Sequence, residues 1–165
     1  MKPSKQLEEK WDELPEHVKS PNPDIYNSDN YIVIDFETTT KEYGAARRRD
    51  NSILLASYRT GAGHPSHRRN STGIVGGEYD MSELVERIMQ ADYLVAHNAK
   101  FELQWLQRCG LDLHEVVCCC TQINEYVLAG NRPWRLSLSA CAERRGLGEK
   151  DFIGNLIRKG VDTLD

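Results

Sequence analysis

No apolar run in these 165 residues approaches the roughly 20 needed to cross a bilayer, so no membrane partner is expected. The opening stretch, MKPSKQLEEKWDELPEH, has no apolar h-region, and no secretory signal is expected either. Net positive charge is also missing: 21 Lys and Arg stand against 25 Asp and Glu, for a formal net charge of −4. That argues against a protein held to nucleic acid by bulk charge, yet it permits a nuclease whose acidic centre holds metal. Prolines number 6 and glycines 12, with 39% hydrophobic residues, which is a globular composition rather than a fibrous or disordered one. No C-x-x-C occurs and no histidine stands at zinc-finger spacing from the cysteines, which argues against a structural zinc site. The absence of G-x-S-x-G and of G-x-x-x-x-G-K-[ST] disfavours a nucleophilic hydrolase and a P-loop enzyme.

The five cysteines are Cys109, Cys118, Cys119, Cys120 and Cys141. An odd count, a run of three and the missing signal point to a reducing, cytoplasmic setting with buried thiols. Basic residues cluster at Arg47–Arg49, Arg68-Arg69, Arg144-Arg145 and Arg158-Lys159. For the triplet two readings stand, a contact to a strand backbone or solvated surface. The length suits one ordinary domain.

Residues 1–29 read as a polar arm, with a short helix at Leu7, Trp11 and Leu14 and then Pro15, Pro21 and Pro23. From residue 30 the pattern predicts strands over Tyr31–Glu37, Asn51–Arg59, Thr72–Val75, Tyr93–Ala96 and Val116–Cys119. Asp80-Met-Ser-Glu83 reads as a capping box opening a helix to about Gln90. A second helix enters at Asn98 and ends at Gly110, and others follow over Thr121–Ala129, Ser137–Arg145 and Asp151–Lys159. The order predicts an α/β fold with a mixed five-stranded sheet flanked by helices.

Asp35 and Glu37 are two apart on an apolar strand, so both carboxylates face one way beside Tyr31 and Val33, while Ile32, Ile34 and Phe36 face the other. Two like charges at a buried strand end lose hydration and repel. They neutralise unless a hard cation with oxygen ligands sits between them. The same spacing at Glu78/Asp80 and Glu149/Asp151 falls in polar surroundings, where solvation is cheap. The apolar strand, more than the spacing, therefore makes Asp35 and Glu37 a candidate metal pair. In the second motif, Val95-Ala-His-Asn-Ala-Lys-Phe-Glu-Leu-Gln-Trp-Leu106, Asn98 is placed to cap the helix and Glu102 to lie near its first turns, facing the sheet edge. A capped helix with a surface glutamate is the plainer reading of that motif alone.

Taken together, Asp35-Phe36-Glu37 followed by Thr38, and Asn98-Ala-Lys100-Phe101-Glu102, resemble the first two motifs of the 3′–5′ exonuclease family with four catalytic acidic residues. That family includes the proofreading domains of bacterial and phage family A DNA polymerases. The resemblance covers about residues 30–165 and implies a ribonuclease-H-like fold and hydrolysis of terminal phosphodiesters at a single-stranded DNA 3′ end, with Mg2+ or Mn2+ in a two-metal site. It implies that Asp35 bridges the ions, that Glu37 holds one of them and meets the terminal nucleotide, and that Glu102, in place of the family's Asp, holds the second. By the same resemblance Thr38, Asn98, Lys100 and Phe101 become candidate substrate contacts, though core packing is the plainer reading of Phe101 and an exposed helix lysine that of Lys100.

The family's third motif, Tyr or His with Asp four positions later, is missing. After Tyr126 the chain has no Tyr and no His. Asp151, Asp162 and Asp165 are preceded at that spacing by Leu147, Arg158 and Val161. The expectation is a C-terminally incomplete domain, impaired by itself, whose partner is a following polymerase domain or a second chain that supplies the helix. Two other readings are a non-catalytic ribonuclease-H-like binding or interaction module and a ribonuclease of the same superfamily, since nothing here reads a 2′-hydroxyl. Trp134, in Asn131-Arg-Pro-Trp134, is either a base-stacking residue or a hydrophobic plug.

Overall fold

Tyr31-Ile-Val-Ile-Asp-Phe-Glu-Thr38, rich in β-branched and aromatic residues, forms the central strand of a five-stranded sheet. The computed structural model describes residues 23–39, 41–67, 72–76, 81–130 and 132–147. Its strands are β1 (Tyr31–Thr38), β2 (Ile53–Thr60), β3 (Thr72–Val75), β4 (Tyr93–Ala96) and β5 (Cys118–Cys120). Its α-helices are α1 (Ser82–Met89), α2 (Lys100–Arg108), α3 (Thr121–Ala129) and α4 (Leu138–Arg144). The helices expected near Leu7 and over Asp151–Lys159, and the Asp80 end of the expected capping box, lie outside the described residues.

The strand order is β3-β2-β1-β4-β5. β1 is antiparallel to β2 and parallel to β4, and β2 is antiparallel to β3. This is the mixed α/β arrangement expected from the sequence, and its register explains the burial. Ile32, Ile34 and Phe36 pair with Thr60, Tyr58 and Ala56, so all six share one face, and all six are buried. Leu94 and Ala96 of β4 are buried as well. α1 supplies Leu84 and Ile88 to the core, and α2 supplies Trp105 and Leu106 while packing on β1. Tyr58 lies across Gly73 of β3, where an added Cβ would come within 2.3 Å of the phenol ring. The guanidinium of Arg87, on α1, stacks on the same ring at 5.2 Å.

Element ends differ from the expectation where a local contact intervenes. β5 covers Cys118–Cys120 rather than Val116–Cys119, and a 3-10 turn over Leu113–Glu115 precedes it. The Asp112 carboxylate nucleates that turn by accepting from the His114 N–H at 3.0 Å. α1 has Met81 at its N-cap, with no side-chain capping bond. None of the five cysteines forms a disulfide, and only Cys141 is buried; Cys118–Cys120 are half-buried and Cys109 is exposed. No helix among the described residues is long and apolar enough to cross a membrane.

The chain divides into two compact units, Met1–Cys119 and Cys120–Asp165, a division inside the stretch expected as one domain. The first holds α1, α2 and the sheet up to its last strand. In the second, α3 ends at Gly130, whose positive φ of 59° suits a glycine stop, and Ser137 caps α4 by accepting from the Ala140 N–H.

Candidate functional site

Asp35 and Glu37 share the open face of β1 with the half-buried Tyr31 and Val33, and both acids are exposed. The expectation of a desolvated pair is corrected by this exposure. The apolar residues that make the strand look buried all point to the opposite face, and water reaches both carboxylates. The pair therefore needs no cation in order to fold. Asp35 stands opposite Ser57, whose hydroxyl donates to the Asp35 carbonyl at 3.3 Å. Val33, Asp35, Ser57 and Arg59 line a shallow depression of about 170 Å³. The pairing with β2 slips between Glu37 and Thr38, a bulge of the kind that re-aims side chains beside functional sites.

β4 runs parallel to β1 with Val95 opposite Val33, so both strands deliver their carboxyl ends to the same edge of the sheet. α2 begins four residues beyond β4, at that edge. In open α/β sheets this is where ligand sites concentrate. Glu102 lies in the first turn of α2 and is only 3% exposed, in contrast to the surface glutamate of the plainer reading. A carboxylate is kept in such a place only where the surroundings compensate its charge.

Asn98 does not cap the helix. Its backbone is left-handed, with φ 60°, whereas a capping residue needs an extended backbone, and the N-cap position is taken by Ala99 with no side-chain bond. Asn98 instead forms the β4–α2 turn, its carbonyl accepting from the Phe101 N–H at 2.9 Å, with its side chain exposed. Lys100 is exposed and Phe101 half-buried.

Asn51 ties the 41–50 loop to the end of β1. Asn51, 1% exposed, donates to the carbonyls of Lys41 at 2.7 Å and Ala45 at 3.0 Å, and accepts from the Thr39 hydroxyl at 2.9 Å. Gly44 has φ 75°, and an added Cβ would meet Thr38 Oγ1 at 2.2 Å and the Phe101 ring at 3.4 Å. The loop thus brings Thr38 and Phe101, two candidate substrate residues, to the same small region. Tyr43, beside Gly44, is 99% exposed and also left-handed, with φ 59°.

Of the Arg47–Arg49 triplet, Arg48 pairs with Asp50 at 3.0 Å while Arg47 and Arg49 are exposed. The hydrogen bond from Arg48, and then that from Lys41, holds the Asp50 carboxyl well below the usual carboxylate range. In the second unit, Trp134 is half-buried, with the guanidiniums of Arg132 and Arg144 over its ring.

Asp35 and Glu37 offer hard oxygens at about 6.6 Å spacing along the strand, and Mg2+ commonly takes one or two carboxylates, completing its shell with water and substrate phosphate. In kind they fit one such ion. Among the described residues no group of three or more His, Cys, Asp or Glu side chains stands close enough to hold a metal, so Glu102 does not join the pair in a ready-made cage.

No protein-family model and no curated protein matches this sequence. The chain is similar to a chain of the solved structure titled "Structure of yeast NOT1 MIF4G domain co-crystallized with CAF1", at 12% identity and a TM-score of 0.53. The likeness covers 75% of this chain and 71% of that one, and at this identity it is a likeness of fold alone.

Proposed function

We propose that this chain is a ribonuclease-H-like 3′–5′ exonuclease domain, of the kind that proofreads for a DNA polymerase, with low activity by itself. The observation that carries this reading is the placement of Asp35 and Glu37 on the open face at the carboxyl end of the central strand, beside the parallel strand that leads into Glu102. Asp35 lines the depression, and the bulge follows Glu37.

Asp35 and Glu37 would hold a Mg2+ or Mn2+ ion, which when bound supplies Lewis-acid polarisation of the phosphodiester. The chain's own contributions are three. The exposed carboxylates leave the ion open to a substrate phosphate. The Asn51-braced loop keeps Thr38 and Phe101 against the terminal nucleotide. Glu102, buried at the start of α2, would be the acid of the second motif at that edge of the sheet. The fourth acid, at the family's spacing, is not in the sequence, and losing one charge-stabilising group typically costs about 10²–10³ in rate.

A non-catalytic binding module is the second reading, favoured by the lack of a three-ligand group among the described residues. Release of mononucleotides from single-stranded DNA with Mn2+ separates the two. The exonuclease reading predicts slow release that Asp35→Ala abolishes, and an RNA substrate run in parallel decides the sugar. Release that persists unchanged in Asp35→Ala, or no release under any metal, defeats it.

A further inference from the structure

We propose that the second unit carries an anion-binding surface for the backbone of single-stranded nucleic acid, built from Arg132, Trp134, Arg135 and Arg144. The choice of partner rests on the nucleic-acid reading above; the surface itself does not depend on the acid pair. Residues 120–147 contain four arginines and two glutamates, in a chain whose net charge is −4, so positive charge is concentrated here against the overall balance.

The arginines are arranged, not merely frequent. Glu125 of α3, 8% exposed, accepts from Arg144 at 2.9 Å and from both Nε and a terminal nitrogen of Arg145 at 2.9 and 2.6 Å. The other terminal nitrogen of Arg144 donates to the Arg135 carbonyl at 3.1 Å, which pins the 132–136 loop to α4. The guanidinium of Arg144 lies 4.6 Å from the centre of the Trp134 ring, and that of Arg132 lies 5.3 Å from the same centre. One indole therefore orders two guanidiniums, and the charge of Arg144 is already balanced by Glu125. Arg132 and Arg135 are exposed and have no acidic partner among the described residues.

Guanidinium forks match phosphate oxygens in pairs, and forks already ordered by a ring, a carboxylate and a carbonyl lose less entropy on gripping a ligand. A phosphate meets the exposed fork of Arg132, and Arg135 meets the next one. An aromatic residue among the cations adds a π surface for a base, which nucleic acid exploits and an acidic peptide does not.

The test is titration of the whole chain with fluorescein-labelled oligothymidylate, in EDTA, at several salt concentrations. Joint substitution of Arg132→Ala and Arg135→Ala is expected to weaken binding about tenfold and to flatten the log–log salt slope by about 1.4, the counterions of two single-strand phosphates. Both residues lie outside the Glu125 triad, and Arg132→Gln alone carries the same test at half the slope change if the double variant loses its fold. Unchanged affinity and slope overturn the proposal, as does equal competition by polyglutamate, which points to an acidic peptide instead. EDTA removes any metal at Asp35, so failure here and failure of the exonuclease reading are told apart.

Discussion

Trp105 donates its indole N–H to the Gly44 carbonyl at 3.0 Å in the interior of the first unit. The bond joins the helix that carries Glu102 to the loop that follows Asp35 and Glu37. Arg108 reinforces it, stacking on Trp105 at 5.0 Å and donating to the carbonyls of Ala46 at 3.1 Å and Arg48 at 2.9 Å. The two motifs are therefore braced against one another through this loop.

Trp105→Phe keeps most of the ring but removes the donor, leaving a buried carbonyl unsatisfied. The expected cost is about 1–3 kcal/mol, read by urea unfolding. Amide exchange is expected to quicken across residues 41–50 and to change little in β1. Loss of stability spread evenly over the whole first unit would contradict this.

Tyr43 and Gly44 predict opposite outcomes one residue apart. Tyr43 makes its left-handed turn while fully exposed, a conformation that costs an ordinary L-residue roughly 1–2 kcal/mol, so Tyr43→Gly is expected to be neutral or stabilising. Gly44→Ala meets both a positive φ and the Thr38 hydroxyl, so it is expected to destabilise by about 1 kcal/mol or more. Thermal unfolding of the two variants checks the pair.

Glu125 predicts an acid-side dependence in the second unit. Hydrogen bonds, first from Arg144 and then from Arg145, hold its carboxyl below its ordinary 4.5. A depressed folded-state value means the contribution is complete above about pH 4.5 and fades as the pH falls through the folded-state value. Unfolding midpoints between pH 6 and 3 are expected to fall more steeply for the parent chain than for Glu125→Gln, which starts lower at neutral pH. Parallel curves would rule the triad out as a source of that slope.

Much of the fold was legible because apolar patterning sets it. The β-branched run of β1, the Gly110 end of the Asn98 helix and the helices over Thr121–Ala129 and Ser137–Arg145 all follow local backbone preference, which a sequence carries openly. What stayed hidden depends on three dimensions. Strand alternation placed Asp35 and Glu37 on one face, but not whether that face is covered, and it is open at their end. Asn98 reads as a cap by type, and only its left-handed backbone shows that it serves the turn. Asn51 lies in a polar stretch like many surface asparagines, and its burial follows from carbonyls contributed by Lys41 and Ala45. The Arg132–Trp134–Arg144 cluster needs α3 and α4 folded together before Glu125 can fix it.

Calorimetric titration of Mn2+ into the parent chain and into Asp35→Ala tests the central claim, that the open acid pair on β1 is a cation site. The account predicts saturable binding by the parent chain, lost in Asp35→Ala and strongly weakened in Glu37→Gln, with the fold of each variant intact by circular dichroism. Equal Mn2+ binding by the parent chain and Asp35→Ala, or no binding by the parent chain, would contradict it.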